Sequence, residues 1–117
     1  YMDRPNSLNP SRWKESWQQE ALKYRVGRWW DLEIPGKVFD AVMSASLLGI
    51  PYAAGFSWWG HAVVGGLKVR KVNGIYQIMH WNSWGEDYGD GGLFWISQSR
   101  AVPDLDACAP LEVTVVL

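Results

Sequence analysis

Asn73-Gly74 constrains the fold more than any other pair in the chain. Both residue types accept the positive φ that a two-residue hairpin turn demands, and here they separate Leu67-Lys68-Val69-Arg70 from Ile75-Tyr76-Gln77-Ile78. The pair predicts a tight antiparallel hairpin. Its arms are of similar length, so the strand that begins at His61 returns beside the strand that ends at Asn82. Turn chemistry alone therefore expects those two side chains near one end of paired strands.

Residues 1–12 are polar and hold two prolines, which predicts an extended arm that needs a surface to lie against. From Ser11, a capping residue, Trp13, Trp17, Ala21 and Tyr24 recur at three- or four-residue spacing with Glu15 in the first turns, predicting a helix that Gly27 ends. Residues 28–34 read as a short extended segment and Pro35-Gly36 as a turn. Val38, Phe39, Val42, Met43, Ser46 and Leu47 form the stripe of a second helix, closed by Gly49. Residues 50–59 are extended and aromatic, and residues 61–72 form a strand that Gly65-Gly66 bends or bulges. Residues 85–92 read as a loop, 93–97 as a short strand, 101–110 as irregular and 111–117 as a final strand. The expected fold is α+β: one or two helices on a twisted, largely antiparallel, barrel-like sheet, in one domain over residues 13–117.

At 117 residues, 48% of them hydrophobic, the chain can bury one modest core. Its net charge is -1 with Lys and Arg scattered, which leaves no electrostatic footprint for nucleic acid or an anionic membrane. The apolar run over 41–54 carries Ser, Gly and Pro and falls short of the roughly 18 residues of a membrane span, and no signal peptide is visible. A single Cys permits no internal disulfide and favours a reducing, cytoplasmic compartment. The Tyr1-Met2 start suggests a processed product or a fragment. Nine Trp must fill a core or a binding surface. On strands, the pairs Trp29-Trp30 and Trp58-Trp59 would each place one ring inward and one outward.

The chemistry gathers at Gly60-His61-Ala62-Val63-Val64 and Asn82-Ser83-Trp84-Gly85. A neutral amide on one imidazole nitrogen fixes the tautomer and leaves the other nitrogen for proton transfer. This arrangement resembles the His and Asn blocks of the papain-like cysteine peptidases. Asn82-Ser83-Trp84-Gly85 is identical to that family's most characteristic tetrapeptide, and it is followed in the family's order by a Gly-rich acidic loop, residues 86–92, and by Leu93-Phe94-Trp95-Ile96. The resemblance covers residues 36–117 well and 11–35 loosely. It implies the family's right-hand, barrel-like domain and a polypeptide substrate, with neither cofactor nor metal. It implies His61 as general base and acid, Asn82 as orienter and Trp84 as shield, supported by Ser83 and Gly85, with Trp59, Gly60 and Ala62 beside a substrate side chain.

A peptidase of this kind also needs a thiolate nucleophile and an oxyanion-stabilising Gln. In the family the Cys lies roughly 130 residues before the His, whereas sixty residues precede His61 and none is Cys. The nucleophile is expected from a preceding segment or a companion chain. The alternative is a domain that has lost its nucleophile and serves as a catalytically inactive structural or protein-binding module. Cys108 follows Asn82 where the family often has a structural Cys, and reads as an inert, buried thiol. His80, two residues before Asn82 and on the same strand face, stands where the family has an aliphatic residue and reads as a polar core residue.

Other site types fit less well. His61, His80 and Cys108 match no usual zinc spacing. Residues 86–91 lack the alternating acids and distal Glu of a calcium loop. Stacking of the Trp pairs on a sugar or peptide remains as a reading from a different class.

Overall fold

The computed structural model describes residue 11 and residues 13–116, so the expected N-terminal arm falls outside the described residues except for residue 11. The hairpin is as its turn demands. Asn73 and Gly74 both have positive φ, 49° and 79°, and join β4 (Val69–Val72) to β5 (Ile75–Trp81) with Val72 opposite Ile75 and Val69 opposite Ile78. Before β4 the same chain segment forms β3 (His61–Gly65), which rejoins β5 with Val64 opposite Trp81. Between those pairings β5 advances three residues while the other side advances five, a two-residue excess accommodated at Gly65, Gly66 and their neighbours. The excess pulls His61 back along β5 towards Asn82.

Only glycine fits this bend. A Cβ at Gly65 would lie 2.4 Å from the Tyr52 ring, and one at Gly66, where φ is +85°, would lie 2.4 Å from the backbone oxygen of Ile50. Gly66→Ala is expected to destabilise the protein by about 2 kcal/mol or more, from left-handed strain plus a backbone clash. Urea unfolding would measure it, and an unchanged midpoint would remove the bend from the account.

The fold is α+β, with two helices on a mostly antiparallel sheet among the described residues. The strands run in the order β1 (Tyr24–Asp31), β7 (Asp106–Val115), β2 (Tyr52–Phe56), β3, β5, β4, and β6 (Leu93–Ser97) pairs with β5 outside that path. Helix α2 (Val38–Leu47) ends in a Schellman motif: the Ile50 N–H donates to Ala45 O at 2.9 Å and Gly49 has φ +69°. Its Val42 and Ala45 pack with Tyr52, Ala54 and Phe56 of β2, Val63 of β3, Ile78 of β5 and Ile96 of β6. Full burial of a side chain such as Phe56 or Ile78 contributes roughly 1.5–3 kcal/mol.

Four expectations need correction. The sheet is open rather than barrel-like, because β1 bonds to β7 over Tyr24–Asp31 while β2 uses only Asp106–Cys108. The β1–β7 ribbon thus continues past β2, with every β1 residue exposed and, among the described residues, no layer on it to curl around. Helix α1 spans only Glu15–Ala21 and buries none of its residues. Tyr24 already belongs to β1, and Gly27 lies at a register shift within that strand instead of ending the helix. Strand β7 starts at Asp106, five residues before the expected strand, because β2 and β1 supply partners for a segment with little pattern of its own. Trp29 and Trp30 are both exposed, since among the described residues neither face of the ribbon is covered.

Candidate functional site

The turn over residues 57–60 joins β2 to β3 and sets where His61 begins. Asp104 holds it: the carboxylate accepts the Ser57 N–H at 2.7 Å and the Ser57 hydroxyl, and these bonds lower its pKa below the ordinary carboxylate range. The Gly60 N–H closes the turn on Phe56 O at 2.8 Å, and Gly60 takes a positive φ of 63°. Because this is a turn, strand alternation does not apply, and Trp58 and Trp59 stack in parallel at 5.6 Å.

Asn82 ends β5 from the other side. Its N–H donates to Gly92 O at 2.9 Å, and its side chain is 3% exposed. His61 Nε2 lies 2.8 Å from Asn82 Oδ1, which also accepts the Ser83 N–H at 2.8 Å. The Ser83 donor requires the amide oxygen to face this way. Nε2 must therefore carry the shared hydrogen, which leaves Nδ1 without a hydrogen bond among the described residues and available to accept a proton. Asn82 Nδ2 is buried without a partner.

Aromatic rings surround the pair. Trp84 stacks on the His61 imidazole with centroids 4.9 Å apart and planes inclined by 25°. Trp59 meets the same imidazole in a T-shaped contact at 4.9 Å. Tyr88, from the loop after Trp84, abuts both Trp84 and Phe94. Sequence reasoning placed Tyr88 and Phe94 only in a loop and a strand; the one signal available was their aromatic character within a Gly-rich segment. Trp59 is packed inside this cluster, while Gly60 and Ala62 are exposed.

His80 is fully buried on β5, with Phe56, Phe94 and Tyr52 around its ring. Its Nδ1 donates to Ile78 O at 3.0 Å, and Nε2 has no partner. Burial pulls its pKa down to about 4 despite the opposing Ile78 bond, so the ring is a neutral core group. Burial also pushes the Tyr52 phenol up to about 12. The nearby Ser46 hydroxyl donates to Val42 O, and Tyr52 Oη has no hydrogen bond among the described residues. Tyr52→Phe is therefore expected to be neutral or to stabilise by about 1 kcal/mol. Thermal unfolding checks this, and a clear loss of stability would mean that the hydroxyl does have a partner.

Next to Asn82, on the sheet face opposite the core, lies an apolar groove of about 930 Å³ that His61 does not line. Ala53, Ala62, Val64, Trp81 and Trp29 line it, and Asn82, Ser83 and Asp106 add polar groups. Cys108 also lines it, half-buried. Burial raises the thiol's pKa, with Asp106, Asp31 and Glu33 adding to the effect, so Cys108 is a poor source of thiolate. Among the described residues no three His, Cys, Asp or Glu side chains group to hold a metal ion. No described helix is long and apolar enough to cross a membrane.

No family model, curated protein or solved structure matches the chain. Its class is therefore argued from an open α+β sheet and from an imidazole paired with an amide under an indole.

Proposed function

We propose that this chain is the His- and Asn-bearing portion of a papain-like cysteine peptidase that hydrolyses peptide bonds with a Cys supplied by a preceding segment or a companion chain. One observation carries the reading: His61 Nε2 on Asn82 Oδ1 at 2.8 Å, beneath Trp84, with Nδ1 left free. Asn82-Ser83-Trp84-Gly85 adds the resemblance. Nδ1 takes the proton of the thiol, and the resulting thiolate attacks the scissile carbonyl. The imidazolium then returns the proton to the departing amine. In the second half Nδ1 takes a proton from water, whose oxygen displaces the thiol from the acyl group. Asn82 keeps Nε2–H in place throughout, and Trp84 covers the bond. Gly60 and Ala62 are the exposed chain neighbours of His61, and the groove next to Asn82 offers an apolar face, open among the described residues, for the nucleophile-bearing segment.

That uncovered face also favours a second reading, in which the domain keeps the pair but has lost its nucleophile and serves to bind or assemble. A peptidyl epoxide that traps activated thiolates separates the two. The protein is treated together with its preceding segment or companion chain, and the adduct is located by mass spectrometry. An adduct on a Cys other than Cys108 supports the peptidase. No adduct, or slow labelling of Cys108 alone, supports the binding module.

A further inference from the structure

We infer that Trp59 is a positioning residue for His61, its indole holding the imidazole against Trp84 so that Nε2 remains on Asn82 and Nδ1 remains open. The inference rests on the reading of His61 as the acid-base group and adds a side chain that the resemblance places beside substrate instead.

One hydrogen bond does not immobilise an imidazole. A half-turn about its Cβ–Cγ bond exchanges Nε2 with Cε1 and breaks the bond to Asn82 Oδ1. Trp84 blocks that motion on one face, yet Trp84 is 55% exposed and needs support of its own. Trp59 supplies it, with T-shaped contacts to His61 at 4.9 Å and to Trp84 at 5.4 Å. Trp59 is itself anchored. It packs on Phe94 at 5.4 Å, both rings lie against the core, and the turn that carries it is tied to Asp104. A continuous path of packed rings thus runs from the core through Phe94 and Trp59 to His61 and its cover. Removing Trp59 would release both at once.

The test reads the ring directly, by NMR of ¹⁵N-labelled imidazole in weakly alkaline buffer, with wild type, Trp59→Phe and Trp59→Leu. Wild type and Trp59→Phe are expected to show a protonated Nε2 and an unprotonated Nδ1 at His61. Trp59→Leu is expected to average the two tautomers and to speed exchange of the Nε2 proton with water by about five- to tenfold, the scale set by losing one or two aromatic contacts. Phe94→Leu, which removes the ring behind Trp59, is expected to shift His61 in the same direction, and it decides the matter should Trp59→Leu fail to fold. A His61 signature in Trp59→Leu or Phe94→Leu identical to wild type overturns the inference. So does a Trp59→Phe protein as disturbed as Trp59→Leu. Neither thiol nor substrate is needed, so failure here and failure of the epoxide labelling are separate results.

Discussion

Under the proposed peptidase function, replacing His61 with alanine is expected to slow epoxide capture of the nucleophilic Cys by about 10²–10⁴-fold, the usual contribution of a positioned acid-base group. The reason lies in what the thiol loses. Without Nδ1 as proton acceptor it stays protonated at neutral pH, and no other described group in the cluster around His61 and Asn82 offers a basic nitrogen: His80 is sealed in the core. The fold should survive, because His61 is only half-buried and its hydrogen bond sits at the end of a strand pairing. Far-UV circular dichroism should therefore be unchanged while labelling collapses. If labelling persists in His61→Ala, the imidazole is not the base and the peptidase reading fails. A binding module, by contrast, would keep its partner in the same variant.

The second large effect concerns acid stability. In the folded chain His80 has a pKa near 4, against about 6.5 for an unfolded histidine. Between those values the unfolded chain binds a proton that the folded chain does not. Stability is therefore full above about pH 6.5, falls as the pH drops towards 4, and levels off below that. A gap of this size corresponds to about 3 kcal/mol, a large share of a small domain's stability. His80→Leu should remove this slope: the variant loses the bond to Ile78 O, but also the buried nitrogen that has no partner. Urea unfolding of both proteins at several pH values gives the comparison. Equal pH dependence in wild type and variant would show that the acid response originates elsewhere.

Several elements were legible because their signals are local. Asn73-Gly74 specified its hairpin, since few other residues accept positive φ at both turn positions. The stripe from Val38 to Leu47 and the glycine after it bounded α2. The Gly65-Gly66 bend was visible as a pair of residues without side chains, although its reason, the Tyr52 ring and the Ile50 carbonyl, was not. That His61 and Asn82 end near one another was expected from two strands and one turn, but their contact also needed the two-residue excess at the bend.

What the local pattern could not decide was which partner a segment would find. The stretch from Tyr24 has an apolar spacing compatible with a helix, yet β7 offers backbone pairing along eight residues and the strand wins over a short, wholly exposed helix. Residues 106–110 carry no alternating signal and became strand because β2 and β1 lie on either side. The openness of the sheet is likewise a property of where the β1–β7 ribbon ends up relative to everything else. Trp59 could be placed near His61 from its position in the chain, but its packing on Trp84 and Phe94 depends on rings that arrive from residues 25 and 35 positions away. The sequence by itself determined the turns and the second helix, because each depends on backbone preference over a few residues. The tertiary structure alone decided strand partnership, sheet closure and the aromatic enclosure of His61, because those depend on contacts between surfaces that no local preference specifies.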